Sequence, residues 1–235
     1  MADKGIIFSA PMVRALLNGR KTQTRRLLKP APFVDHLGNF CAPDRDGKIW
    51  NWGQHADGRP CTRNYQAKHV PFTTGDRLYV RENFQLLRIG DYLPTKHQPA
   101  EVRFAATDPC ADLPADTRGY PWRPCIHMPR WASRLWLAVT DVRVQQLQDC
   151  SAADAEAEGV FAHVALYSVD KVFRSERSAI ALQYYAKLWN SLHTAEGTTW
   201  EANPWVAVIS FGVHHGNIDA APDDSATAEQ VRSKQ

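Results

Sequence analysis

What this sequence lacks is a long apolar run. No segment approaches the ~20 consecutive apolar residues that a membrane-crossing helix needs, and that excludes a helical integral membrane protein. The opening Met-Ala-Asp-Lys-Gly carries no apolar signal segment, so the expected location is the cytoplasm. Charge of one sign is also nearly absent. With 28 Lys and Arg against 25 Asp and Glu, the net charge is only +3, and contact with a polyanion has to come from a local patch. The five cysteines, at 41, 61, 110, 125 and 150, are odd in number and contain no C-x-x-C pair. A disulfide framework is therefore not expected, and the thiols read as reduced. None has a recognisable base partner, which leaves a thiol nucleophile without support. A zinc site from Cys41, Cys61, His55 and His69 would need spacings that match no familiar zinc pattern, so neither a metal nor a cofactor is expected. There is no internal repeat and no clean domain boundary.

What is present is a basic stretch, Gly19 to Arg26, reading Gly-Arg-Lys-Thr-Gln-Thr-Arg-Arg. It follows a short apolar strand at 6–9 and a helical segment, Pro11 to Asn18, closed by Gly19. Glycine tolerates the left-handed conformation that ends helices, so Lys21 is expected in or just after a turn. Thr22 to Leu28 then runs out as a strand, on which Thr22, Thr24 and Arg26 share one face. A hydroxyl and a guanidinium on one face, with a lysine at the entrance, suit an anionic or carbonyl-bearing ligand. In a regular strand residues 21 and 24 would point to opposite faces, so their cooperation requires Lys21 to lie in the turn. A basic turn and edge strand facing water is the plainer alternative.

Beyond this stretch, residues 30–75 are rich in proline and glycine with weak periodicity, and read as an irregular insertion packed through Phe40, Trp50, Trp52 and Tyr65. Thr73-Thr74-Gly75-Asp76 is a turn signal leading into an alternating strand at 77–84. A strand at 101–106, a second insertion at about 88–130, and a long bent strand or two over 134–147 follow. Ser151-Ala-Ala-Asp154 has the form of a capping box, opening a short helix that ends at Gly159. Residues 175–193 read as a helix with Ala181, Tyr185, Leu188 and Leu192 on one stripe. The last strand is 205–213, and the polar stretch 214–235 reads as a disordered tail. Strands and helices in this arrangement indicate an α+β fold.

The spacing G-x-K-x-x-T-x-R at Gly19, Lys21, Thr24 and Arg26 resembles the signature of the ASCH family, a branch of the PUA-like β-barrels. The G-D-x-L-x-V strand at 75–80 resembles the same group. The resemblance covers residues 6–30, 73–87, 134–160 and 205–213. It implies a PUA-like barrel with flanking helices, as a single domain over 1–213 interrupted by the two insertions. Many members carry glutamate where this chain has Thr24. The threonine form resembles the small bacterial amidohydrolases that deacetylate N4-acetylcytidine. In those enzymes a lysine, a threonine and a distant glutamate are catalytic, which implies Lys21, Thr24 and Glu158 here. Glu158 fits best, because the glycine-ended helix stops just after it, and Glu156 is its rival. The compact amidohydrolases lack the insertions.

Amide hydrolysis needs a nucleophile, a proton acceptor and donors for the oxyanion. Thr24 offers a hydroxyl. Lys21 can serve as its base if burial or neighbouring cations lower its pKa. Further candidates for holding substrate are Arg26, then Arg81 and Glu82 after the 77–84 strand, which read equally as a cross-strand ion pair. His127, Arg130 and Trp131 form a cluster able to stack on and hold a base, or one that simply packs the indole. Three functions are compatible with these residues: hydrolysis of an N4-acylated cytidine or related modified nucleoside, a non-catalytic module reading RNA or modified nucleic acid, and a ribonuclease using the same basic face. The expected partner is accordingly a modified nucleoside or RNA, with no membrane.

Overall fold

The computed structural model describes residues 3–44, 46–87, 101–163 and 174–220. Along the chain lie β1 (Asp3–Ile7), α1 (Ala10–Leu17), β2 (Gln23–Leu27), β3 (Phe33–Val34), β4 (Phe40–Pro43), β5 (Ile49–Asn51), α2 (Arg63–His69), β6 (Arg77–Arg81), β7 (Phe84–Leu87), β8 (Glu101–Phe104), α3 (Ala115–Arg118), β9 (Leu135–Gln146), α4 (Ala152–Ala157), α5 (Arg174–Leu192) and β10 (Trp205–His215). The architecture is mixed α+β. Five strands form one mixed sheet in the order β1-β6-β9-β10-β2, with β1 and β6 parallel and β6–β9 and β2–β10 antiparallel. A three-stranded sheet β3-β4-β5 and the pair β7-β8 are the other sheets among the described residues, with isolated bridges between Gln54 and Pro60 and between Phe84 and Arg123.

The chain divides into two compact units. The first comprises Arg14–Asp76 and Val139–Gly212. Its core forms where β2 and β10 present one face to the helices. Leu27 pairs in register with Val206, and Arg25 with Val208, so these side chains point the same way. Val206 and Val208 pack with Leu147, Cys150, Ala155, Val160, Phe161, Ala181, Tyr185 and Trp189. On α5 the buried row is Ala181, Tyr185 and Trp189, at four-residue steps, whereas Leu192 is exposed. The stripe expected to end at Leu192 turns instead to Trp189, whose indole donates to the Thr198 carbonyl at 2.8 Å.

Residues 30–75 are less irregular than their composition suggests. Asp35 and Asp44 each accept hydrogen bonds from backbone N–H groups two and four residues on, closing the turns that connect β3, β4 and β5. Phe40 is fully buried. It meets Tyr65 edge-on at 5.1 Å and Trp205 at 4.8 Å, a geometry favoured by the ring quadrupoles.

The second unit comprises residues 3–13, 77–138 and 213–220 of the described chain. Phe84, Leu86, Met128 and Ala132 form its small core with Val102 and Phe104. The strand expected over 77–84 is broken after Arg81, because Asn83 turns its side chain to accept from the Cys125 N–H at 3.0 Å. The polar tail expected from His214 begins later. β10 continues to His215. Asn217 donates to the carbonyls of Arg130, Trp131 and Ser133, each at 2.9 Å, and Ile218 is fully buried. Gly216 N also donates to the Arg134 carbonyl at 2.8 Å, and Asp219 accepts from Arg130 at 2.8 Å. The rest of the expected tail, 221–235, lies outside the described residues, as does the 88–100 part of the second insertion.

Candidate active site

The site is assembled where the end of α1, the start of β2 and the end of α4 meet. After Leu17 the chain reverses at Gly19, where φ is +66°. The N–H groups of Arg20 and Lys21 both bond the Ala15 carbonyl, at 2.8 and 3.2 Å. Lys21 therefore sits in the turn, ahead of the strand. Thr22 then bonds on both sides, donating to Ala157 O at 2.8 Å and accepting from Phe211 N at 2.9 Å. α4 is fixed at its start by a reciprocal box: Asp154 N donates to Ser151 Oγ and Ser151 N to Asp154 Oδ2, each at 3.1 Å. It ends at Glu158, and Gly159 follows with φ +81°. A Cβ on Gly159 would lie 3.1 Å from Ala15 Cβ and 3.2 Å from Lys21 Cβ. Glycine is thus required there both by the left-handed backbone and by the closeness of Lys21.

Lys21 Nζ donates to Glu158 Oε2 at 2.7 Å, to Glu158 O at 2.9 Å and to Gln23 O at 2.8 Å. An ammonium has three protons, and each finds an acceptor. The lysine is 1% exposed and the glutamate 3%. Burial pulls the Lys21 pKa below its ordinary value, helped by the nearby Arg26 and Arg25 charges, while Glu158 resists the fall. The second carboxylate oxygen, Oε1, accepts from Arg25 Nη1 at 3.1 Å and from the Tyr185 hydroxyl at 3.2 Å. Arg25 is enclosed, with Asp154 Oδ2 3.4 Å from its Nη2. Burial opposes the charge of Arg25, but Tyr185, Cys150, Glu158 and Asp154 together hold its pKa above the ordinary value. Burial also pushes the Tyr185 phenol well above its usual range.

Alternation along β2 separates the other candidates. Gln23 and Arg25 point to the helix side, and Thr24 and Arg26 to the opposite face. Thr24, 5% exposed, pairs in register with Ile209. Among the described residues no hydrogen bond links its hydroxyl to Lys21 or Glu158. Arg26 is half-buried, and desolvation lowers its pKa against the raising influence of Glu158. Lys21 and Glu158 are brought together, while Thr24 and Arg26 lie on the opposite face of β2. Glu156 is only partly buried, and lines an open depression of about 300 Å³ with Gly19, Arg20, Thr22, Ala157, Gly159 and Phe161. Sequence reasoning missed Arg25, Tyr185 and Gln23. Strand alternation would have placed Arg25 opposite Thr24, and a tyrosine in an apolar helix stripe signals a hydroxyl that needs a partner.

The remaining candidates belong to the second unit. Glu82 is buried in a bidentate pair with Arg134, at 2.8 and 3.0 Å, and burial raises its pKa against the pull of that arginine. Arg81 donates to the Ile126 carbonyl. Arg130 is held by Asp3 at 2.5 Å and by Asp219 at 2.8 Å. His127 and Trp131 are exposed. Among the described residues no group of three or more His, Cys, Asp or Glu is placed to hold a metal ion, and no helix is long and apolar enough to cross a membrane. Compared with protein-family models, with curated proteins and with solved structures, the chain finds no match.

Proposed function

We propose that this chain is an amidohydrolase that cleaves the acyl group from an N4-acylated cytidine or a related modified nucleoside, and that its mixed sheet belongs to a PUA-like ASCH barrel. The observation that carries this reading is the buried contact of Lys21 Nζ with Glu158 Oε2, 2.7 Å long, beside the strand that bears Thr24. Two of the three groups implied by the G-x-K-x-x-T-x-R resemblance, 137 residues apart, meet. In this reaction the Lys21 ammonium first passes a proton to Glu158, a transfer that burial favours, and the freed amine takes the Thr24 proton as that hydroxyl attacks the acyl carbonyl. Glu158 gives the proton it took from Lys21 to the exocyclic amine as the C–N bond breaks, and Lys21 and Glu158 end in the charge states from which they began. Water then hydrolyses the threonine ester, releasing the acid and restoring the hydroxyl. The depression at Gly19, Arg20 and Thr22 is the side from which substrate enters, and Arg26 binds its carbonyl or anionic part.

The near-complete burial of Lys21, Thr24 and Glu158 favours a second reading, in which the same ion pair is a structural clasp in a non-catalytic module that binds RNA or modified nucleic acid. Incubation with N4-acetylcytidine, followed by chromatography for cytidine, separates the two. An amidohydrolase releases cytidine, and Lys21→Ala and Thr24→Ala each nearly abolish turnover. A fully active Thr24→Ala protein rules out that nucleophile. Absence of turnover, with RNA affinity that falls as salt rises, selects the binding module.

A further inference from the structure

We infer that Arg25 and Tyr185 are positioning residues, which hold one oxygen of the Glu158 carboxylate so that the other is presented to Lys21. This rests on the reading of Lys21 and Glu158 as working groups of the site. The G-x-K-x-x-T-x-R spacing leaves position 25 unspecified, and α5 lies outside the stretches that the resemblance covers. Neither residue is implicated by it.

The geometry divides the carboxylate cleanly. Oε1 takes the Arg25 guanidinium at 3.1 Å and the Tyr185 hydroxyl at 3.2 Å, and Oε2 takes Lys21 at 2.7 Å. A glutamate's terminal torsion is soft and broad, so a single ammonium contact does not fix which oxygen it uses or at what angle. Two donors from different elements, β2 and α5, remove that freedom. Both are themselves held. Arg25 Nη1 also donates to Gln23 Oε1 at 2.7 Å, and Gln23 Nε2 to Ser210 Oγ at 3.2 Å. Arg25 Nη2 faces Asp154, whose other oxygen accepts from Arg143 Nη2 at 2.9 Å. Tyr185 is locked in the α5 row between Ala181 and Trp189, with the Arg25 guanidinium 5.7 Å from its ring centre. Lys21 alone would balance the charge of Glu158. The added guanidinium and phenol act on direction, which is what proton delivery to a leaving amine demands.

Tyr185→Phe removes only the hydroxyl and keeps the packed ring. Arg25→Lys keeps the charge but loses the planar fork that holds Asp154 with Nη2 while Nη1 serves Gln23 and Glu158. Each variant is assayed for kcat and KM on N4-acetylcytidine, and each is labelled with 15N-lysine to follow the Lys21 Nζ resonance, identified by its loss in Lys21→Ala. The expected result for both is a kcat lower by about tenfold, the loss of one hydrogen bond to a charged group, with KM unchanged and a displaced Lys21 resonance. Unchanged kcat and resonance overturn the inference, as does an effect confined to KM. If wild-type protein shows no turnover, the proposed activity fails and the resonance alone decides: displaced in Tyr185→Phe it upholds the positioning role, unmoved it refutes it. Should Arg25→Lys not fold, Tyr185→Phe decides by itself.

Discussion

Replacing Glu158 with glutamine keeps the side chain's size and removes the one negative charge that Lys21 and Arg25 share. Both cations are enclosed, so neither can turn to water. Removing one partner of a buried ion pair is destabilising by about 3–5 kcal/mol, a large part of the roughly 5–15 kcal/mol that holds a typical domain folded. The size of the loss depends on pH. Burial already lowers the Lys21 pKa, and Glu158 is what resists that fall, so in Glu158→Gln the pKa drops further. Between that lowered value and the ordinary 10.5, the unfolded chain holds more protons than the folded one, and stability rises with pH, by up to about 1.4 kcal/mol per pH unit. Wild-type Lys21 is lowered in the same direction, so the gap between variant and wild type narrows only as pH rises from the variant's folded-state value to the wild type's, and at no pH does it widen as pH rises. Urea unfolding followed by tryptophan fluorescence at pH 7 and pH 9 measures it. Glu156→Gln, on the rim of the open depression, serves as control with a loss under about 1 kcal/mol. A Glu158→Gln loss below about 1 kcal/mol at pH 7, or a gap wider at pH 9 than at pH 7, refutes the reasoning.

Gly159→Ala is expected to lose about 2–4 kcal/mol in the same assay, from the left-handed backbone at φ +81° and a methyl 3.1–3.2 Å from Ala15 and Lys21; a loss under 1 kcal/mol would mean that the turn yields easily. Burial pushes the Cys150 thiol up to about 12 from 9, so between those values the folded chain keeps a proton that the unfolded chain has lost, and stability falls as pH rises. Cys150→Ala removes this share, and wild type should lose up to about 1.4 kcal/mol more per pH unit than the variant above pH 9, as read by unfolding at pH 8.5 and pH 10.

Local signals were legible where the chemistry is local. Gly19 marked the reversal that puts Lys21 ahead of its strand, Ser151 and Asp154 marked the start of α4, and Gly159 marked its end beside Glu158. Each depends on residues a few positions apart. Arg25 and Tyr185 were not legible as site residues because they lie 160 positions apart in sequence and meet only through a carboxylate on a third element. The turn chemistry of Asp35 and Asp44 was hidden in a stretch whose prolines and glycines drew attention to irregularity, and strands of two to four residues are too short to show a period. The order around Ile218 escaped notice because one apolar residue shows no period and the Asn217 and Asp219 contacts that hold it reach residues more than 80 positions away.

The pairing of β2 with β10 sets a schedule for the chain during synthesis. β2 is complete at Leu27, yet its partner residues are 206–210. At roughly 5–20 residues per second, β2 has to wait on the order of 10–40 s before the strand it pairs with leaves the ribosome. During that interval its open edge is a template for association with other chains. Lys21, Arg25 and Arg26, cations in or beside this short strand, oppose such association while they are still hydrated. Lys21 and Arg25, later enclosed around Glu158, and Arg26, later half-buried on the other strand face, therefore guard the nascent chain first, and a variant that replaces them with apolar residues would meet its difficulty before the native structure exists.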